Sequence, residues 1–463
     1  MLTPEALIPA MALLAVLTRE LLWLCAAGIA LSSLDDLAVD FVWLWRVAFR
    51  KAPPLPPEPA EAGRFAILIP AWDESAVIGA MLARLLATLE HPDYHVFVGY
   101  YPNDPETEAA IRAMGDRRVQ AVSTGHAGPT TKADCLNRLW RAVLAEEAES
   151  GRRFKAVVLH DAEDLVHPLS LRLYDRAIPG LAMVQLPVLP LVDRNSRWIS
   201  GHYIDEFAQS HAKDMMVRAA LRAPVPSAGV GTAIDRAVLE RIAGPAGEPF
   251  DASSLTEDYE IGHKLHRMGL EGRMLRVRVK GELVATREFF PADLEGAIRQ
   301  KSRWLTGIAL AGWDRLGWSG GWRERWMLLR DRKGLFTAAV TMLAYGASLL
   351  MLTQMAMRAM LAEQTGQALP PLMGEGGVAL CAFLILNAGL LAWRLLLRAG
   401  FTARDYGWAE GLRAVPRAVM GNGINFLSAL RAVDRYRAAL ESGHAVRWDK
   451  TPHRFPAGEG ANG

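Results

Sequence analysis

Cysteine is scarce in this chain. Cys25, Cys135 and Cys381 are the only three in 463 residues, far apart and in no CxxC or Cys/His cluster. That spacing argues against a disulfide framework or a structural zinc site and predicts buried thiols in a reducing or lipid setting. No GxGxxG fingerprint and no GxxxxGK(S/T) loop is present, so dinucleotide-binding and P-loop readings lose their main support. Charge of one sign is also lacking: 52 Lys and Arg against 50 Asp and Glu give a formal +2. That near-neutral total hides local asymmetry and says little about nucleic acid, which is not among the partners expected.

What the chain has instead is apolar length. Hydrophobic residues make up 51%, mean hydropathy is +0.10, and the length suits two or three domains. Apolar runs lie within residues 6–34, at Gly334–Leu361 and at Gly377–Leu397. The last two have the roughly 20 residues that cross a hydrocarbon core. Arg19 and Glu20 interrupt the first, which is too long for a secretory signal and lacks its basic start and cleavage site. Arg46, Arg50 and Lys51 follow the first run, and Arg323, Arg325, Arg330, Arg332 and Lys333 precede the second. Arg398 and Arg404 follow the third, whereas the connection Glu363–Gly376 has no Lys or Arg. The positive-inside rule then puts the central region and carboxyl tail in the cytoplasm and the amino terminus outside. The alternative is three helices buried in a soluble protein.

Between a Pro-rich linker, Ala52–Gly63, and the second run, strand-like segments alternate with helical ones. Strands are predicted at Arg64–Trp72, Tyr94–Tyr101, Arg118–Thr124 and Lys155–Asp164, and helices at Ser75–Leu89, Glu106–Met114 and Lys132–Glu149. Continuous apolar strands alternating with helices imply an α/β domain with a parallel sheet. Its ligands bind beyond the carboxyl ends of the strands, where the chain reads "PAWDE", "PND", "STGHAGPTTK" and "HDAED". Asp161 and Glu163 end an apolar strand, and alternation points both to one side. Two hard oxygen donors so placed suit Mg2+ or Mn2+ on a diphosphate, or form a solvated strand end. Asn103-Asp104-Pro105 fits a turn. Lys132, before a helix, can steady a phosphate or face solvent; Trp72 can stack on a base or fill a core. Farther on, Ser254-Leu-Thr-Glu257 fits a capping box, with Glu257 and Asp258 in a first helical turn.

The ordered segments "IPAWDES", "YYPNDPE", "TKADCLN", "HDAED", "GVGTAIDR", "LTEDYEIG" and "QKSRW" run from Arg64 to Trp304. In that order they resemble a processive family-two glycosyltransferase of the cellulose and hyaluronan synthase type. "SLDDLAVDFVWLWR", "VGYYPNDPET" and "RWDKTPHRFP" extend a likeness to one bacterial inner-membrane branch over nearly the whole chain. The resemblance implies a GT-A fold, a Rossmann-like mixed sheet that binds nucleotide sugar, beside about three spans and interfacial helices. It implies transfer of a hexose or N-acetylhexosamine from a UDP-sugar to a growing glycan. Trp72 then lies beside the uracil with Glu74 nearby, Asp104 contacts the nucleotide, and Lys132 lies in its pocket. Asp161 and Glu163 replace the Asp-x-Asp pair that holds metal and diphosphate; Glu163 departs from the pattern but keeps an oxygen ligand. Asp258 is the general base, with Glu257 helping to position the turn. Gln300, Arg303 and Trp304 match Gln-x-x-Arg-Trp, holding diphosphate and acceptor end, and Gly231 and Thr232 fall at the acceptor.

The chemistry is consistent with this set. Inverting transfer needs one base for the acceptor hydroxyl, while a cation and an arginine stabilise the departing diphosphate. Leu294, Ala297, Ile298, Leu305, Ile308 and Gly312 recur at helical spacing, predicting an amphipathic helix over Pro291–Trp313 at the membrane interface, near Trp318, Trp322 and Trp326. A second interfacial or re-entrant element is expected at Pro416–Val433. In the tail, Trp448, Lys450, Thr451 and His453 resemble a loop that closes over nucleotide. The domain boundaries expected are 1–51 for the first span, 52–63 for the linker and 64–290 for the transferase. Interfacial helices follow at 291–333, two spans at 334–398, and the cytosolic end at 399–463. Some relatives carry a carboxyl-terminal cyclic di-GMP domain; this chain ends at Gly463, so that messenger is expected to act only indirectly. Membrane lipid, a lipid-linked or glycan acceptor, an outer-membrane export partner and further subunits are the remaining partners considered. The competing functions are single-sugar transfer to a lipid phosphate and a non-catalytic membrane scaffold or receptor component.

Overall fold

The computed structural model describes residues 4–49, 55–366, 377–442 and 454–456. Strand β1 (Phe65–Pro70) is "FAILIP", apolar on both faces. Phe65, Ile67 and Ile69 enter one core and Ala66 and Leu68 the other, the two-sided burial that a central strand needs. The other strands are β2 (Tyr94–Tyr100), β3 (Val119–Ser123), β4 (Ala156–Leu159), β5 (Met183–Gln185), β6 (Val188–Pro190), β7 (Thr232–Asp235) and β8 (Gly272–Met274). Three short ones follow: β9 (Arg278–Val279), β10 (Glu282–Leu283) and β11 (Thr286–Glu288). The main sheet has the order β3-β2-β1-β4-β7-β5-β8. β1 to β4 are parallel, as the alternation predicts. β7 enters antiparallel between β4 and β5, so the sheet is mixed. Outside it, β11 pairs parallel with β6.

Helices α2 (Ile78–Thr88), α3 (Pro105–Arg112) and α5 (Ser170–Ala177) cover one face of the sheet. Helices α4 (Lys132–Ser150), α8 (Arg236–Ala243) and α9 (Glu257–Arg267) cover the other. α6 (Gly201–Gln209) and α7 (Met215–Ala220) lead toward the apolar helices. After the sheet come α10 (Leu294–Leu305), α11 (Ala311–Leu316), α12 (Trp322–Arg332), α13 (Gly334–Thr365), α14 (Gly377–Tyr406) and α15 (Trp408–Ser442), while α1 (Pro4–Phe49) precedes it.

Among the described residues, three helical segments are long and apolar enough to cross a membrane: Met11–Phe49, Gly334–Glu363 and Gly377–Tyr406. α1 continues well past the apolar run, and its acids explain why. Asp35 and Asp36 meet Arg330 and Lys333, Asp36 also meets Arg394, and Asp40 takes Lys213 at 2.5 Å. "SLDDLAVDF" thus staples the first helix to the other two and to the segment between α6 and α7.

Pro416–Val433 is not a separate element, contrary to the sequence reading. It lies inside α15, whose buried positions Ala414, Arg417, Gly421, Ile424 and Ser428 form a seam packed on α14, α10 and α13. Arg417 is fully buried and donates to both oxygens of Asp205, at 2.7 and 3.0 Å, and to Glu410 at 2.6 Å. An uncompensated buried charge is costly, so Arg417→Met is expected to destabilise by about 3–5 kcal/mol, read as a lower thermal midpoint with α15 released from α6.

Candidate active site

The carboxyl ends of β1 and β4 open into a cleft lined by Trp72, Glu74, Lys132, Asp161, Glu163, Glu257, Asp258, Gln300, Arg303 and Trp304. Ten of the residues singled out in the sequence meet there, from five separate segments. The sheet supplies the loops after β1 and β4, α4 its first residue, α9 its first turn, and α10 its last two turns.

Lys132 begins α4, after the N-cap Thr131, whose hydroxyl accepts from Asp134 N. Its Nζ donates to Asp161 Oδ1 at 2.5 Å and to Gly229 O at 3.3 Å. Burial disfavours its charge, but Asp161, Glu257 and Asp258 outweigh that and raise its pKa. β4 ends at Leu159, so Asp161 and Glu163 share the cleft through a turn and not through strand alternation. Asp164 braces that turn: its Oδ2 accepts from Asp161 N at 3.1 Å and pairs with His160 Nδ1 at 2.6 Å.

Glu257 and Asp258 both line the cleft, and the capping box is not formed. Thr256 is the N-cap and makes no side-chain cap; Ser254 Oγ accepts from Thr256 N and its hydroxyl donates to Glu260. Glu257 is 6% exposed, so it faces the site and does not cap the helix. Burial, then the charge of Asp258, raises its pKa; burial raises that of Asp258 while Lys132 opposes it. Two crowded carboxyls beside one lysine hold a proton that a dilute pair would lose.

On the facing wall, Trp304 packs edge-on to Tyr203, Phe207 and Phe290. Gln300 Oε1 is buried with no hydrogen-bond partner among the described residues, which leaves an acceptor for a ligand hydroxyl. Arg303 is near enough to Asp258 to favour its ionised form.

Three expected residues stand behind this surface. Asp104 is not among the lining residues; its carboxylate accepts from Asp73 N at 2.5 Å and Thr107 N at 3.3 Å, bracing the Trp72–Glu74 loop. Gly231 backs onto Thr286, at positive φ, and the Thr232 hydroxyl is buried on Gln185 Oε1 at 2.5 Å. In the same loop Ala228 and Val230 line the cleft instead. Trp448, Lys450, Thr451 and His453 lie outside the described residues. Arg454 is described: it pairs with Asp193 at 2.5 Å and covers the Phe289 ring, next to two lining residues.

Sequence reasoning missed Gly229, Glu288, Tyr101 and Phe290. Gly229 has φ +79°, and a Cβ there would sit 2.6 Å from Asp258 Oδ2 and 3.3 Å from Lys132 Nζ. Gly229→Ala is expected to cost about 1–2 kcal/mol of stability from left-handed strain alone and to displace the Asp258 carboxylate. Turnover should fall by more than the thermal midpoint suggests. Glu288, from β11, is buried in the wall, and burial followed by Asp164, Glu163 and Asp161 raises its pKa well above the usual range. Nothing local distinguishes "TREFF" from any strand carrying one acid.

The donors around Asp161 are all carboxylate oxygens, and their mutual repulsion, with Lys132 as counter-charge, is relieved by a hard divalent cation. Among the described residues no three acid, His or Cys side chains could hold an ion alone. A cation held by Asp161 and Glu163 would therefore need further oxygen donors from a bound molecule.

A family described as "Glycosyltransferase like family 2" matches residues 62–307, more than half the chain. The chain is 36% identical to bacteriophage adsorption protein B of Escherichia coli strain K12, over 92% of this chain and 61% of that protein. Bacteriophage N4 adsorption protein B of E. coli O157:H7 matches equally. The chain thus spans about three fifths of the length of these curated relatives. Among solved structures, a mannosyltransferase from Pyrobaculum calidifontis, in complex with GDP-Man and Mn2+, has a similar fold. It superposes with a TM-score of 0.51 at 15% identity, over 86% of this chain and 99% of that one. The mixed sheet, the cleft and the family match agree: this chain belongs to the family 2-like glycosyltransferases and has their GT-A fold.

Proposed function

We propose that this protein is an inverting membrane glycosyltransferase that moves a hexose or N-acetylhexosamine from a UDP-sugar to a growing glycan. The observation that carries the reading is one cleft lined together by Asp258, Lys132, Asp161, Arg303 and Trp304, in a chain with three span-length helices among the described residues. Trp72 offers a stacking face for the base, supported from behind by Asp104 through Asp73 N. Lys132 and Arg303 bind the diphosphate, with Asp161 and Glu163 as the residues that would hold Mg2+ or Mn2+. When bound, that ion supplies positive charge at the leaving diphosphate. Gln300 and Trp304 orient the acceptor. Asp258 takes the proton of the acceptor hydroxyl as its oxygen bonds to the anomeric carbon; the bond to UDP breaks on the opposite face, inverting the centre. Glu257 shares the proton equilibrium of Asp258.

The flanking charge favours the inner membrane of a bacterium, with the cleft cytoplasmic. Export through an outer-membrane partner and further subunits belong to the same proposal. A panel of radiolabelled UDP-sugars, offered to protein in nanodiscs with product sizing, tests it. Long products support chain extension, and a single added sugar on lipid phosphate supports the carrier reading. No turnover with any UDP-sugar leaves the scaffold reading.

A further inference from the structure

Helix α9, which carries Glu257 and Asp258 in its first turn, has two kinds of neighbour. Toward the sheet it buries Ile261 and Leu265 in the second core. Such apolar contact is non-directional and tolerates sliding. Its polar side chains reach the opposite way, onto the segment between the Gln-x-x-Arg-Trp helix and α13. The Tyr259 hydroxyl donates to Asp331 at 2.8 Å. Glu260 accepts from Arg315 Nε at 2.5 Å. Arg267 donates to Glu324 at 2.8 Å and to Leu316 O at 2.9 Å, and His263 lies 3.3 Å from the same Glu324.

Arg315 does more than pair with Glu260. Its second nitrogen donates to Ser254 Oγ at 3.1 Å, and that oxygen accepts Thr256 N at 3.1 Å, one residue before Glu257. Thr256 in turn abuts Gly307, where a Cβ would meet its methyl at 2.5 Å. Gly307 lies in a π-helical turn, Thr306–Leu310, directly after Leu305, which ends α10. The turn holding the acids is therefore braced by the local Ser254 hydrogen bonds, and Arg315 ties both Ser254 and Glu260 to the neighbouring segment.

That segment has the outward face of an interfacial element. Trp313, Trp318, Trp322 and Leu329 are exposed, Trp322 by 64%. α12 runs with a break of one residue into α13, a candidate span. Aromatic side chains next to a span are favoured at the headgroup level.

We propose that α11 and α12, through Arg315 and Glu324, position the Glu257–Asp258 carboxylates, so that seating of these helices on a lipid surface sets the rate of the chemical step. The inference rests on the proposed role of Asp258 as base. Arg315 and Glu324 are positioning residues, since neither lines the cleft.

The test uses the full chain in nanodiscs of phosphatidylethanolamine and phosphatidylglycerol, with UDP release and UDP affinity measured separately. Arg315→Leu is expected to lower kcat by about 10²-fold, the scale of an ångström-level misplacement, with UDP affinity and donor KM changed by less than about twofold. Arg315→Lys should recover part of kcat, because it restores the charge on Glu260 without the second N–H to Ser254. Transfer from nanodisc to detergent should lower kcat of the unsubstituted protein and leave Arg315→Leu unaffected, because its link is already cut. An Arg315→Leu protein with undiminished kcat, or one that loses UDP affinity in parallel with kcat, overturns the proposal. Should Arg315→Leu not fold, Ser254→Ala removes one hydroxyl of the same relay and must lower kcat alone. If Asp258→Asn itself turns over normally, the base assignment falls and not merely this coupling.

Discussion

Asp258→Asn should abolish measurable sugar transfer while UDP still binds. A positioned general base contributes about 10²–10⁴-fold, and asparagine keeps the shape of the side chain while removing the electron pair that takes the proton. The diphosphate contacts proposed for Lys132 and Arg303 remain, so UDP affinity should change little. The pH profile provides an independent check. Burial raises the pKa of Asp258, and Glu257 beside it is raised by burial and then by Asp258. A base works only when deprotonated, so kcat should climb as pH rises through the elevated value and fall below it. An acidic limb at about 4, the ordinary carboxylate position, would contradict a base held in this buried pair. Turnover by Asp258→Asn at the unsubstituted rate would reject the assignment outright.

Removal of divalent metal, or Asp161→Asn, is the second large effect expected. Neutralising a departing diphosphate is worth several kcal/mol, or about 10³-fold in kcat/KM. Here the signature differs from that of Asp258→Asn, because UDP affinity should fall together with the rate. Asp161 also holds Lys132 at 2.5 Å, so its loss should disturb both phosphate contacts. Mg2+ or Mn2+ added back after chelation should restore the unsubstituted protein but not Asp161→Asn. Full turnover after exhaustive chelation would remove the metal from the proposal and leave Lys132 and Arg303 as the diphosphate's only countercharges.

The division between what was legible in the sequence and what was not follows the range of the interactions involved. Uninterrupted apolar stretches such as "FAILIP" can only be central strands of a covered sheet or parts of buried helices. Alternation with helices then put β1 to β4 in parallel, and the three long runs emerged as helices of spanning length. Motif order was enough to collect Trp72, Lys132, Asp161, Glu163 and Asp258, which stand just after a strand or in a first helical turn, and Gln300, Arg303 and Trp304, which share the last two turns of one helix.

The errors share the opposite property. Asp104 was read as a nucleotide contact, but backbone amides 31 residues away and at its own helix start occupy its oxygens. In "GVGT" it is Gly229, two positions before Gly231, that abuts Asp258, because only the approach of α9 decides which glycine faces the carboxylates. Glu288 enters the cleft because β11 pairs with β6, about a hundred positions earlier. Pro416–Val433 became part of one long helix because its small residues and Arg417 meet α6 and α14. Composition and local pattern by themselves determined the class of the domain and the apolar helices, and the order of motifs gathered most of the residues that line the cleft. The tertiary structure alone decided which neighbours reach that cleft, since chain-distant packing sets the direction in which each side chain points.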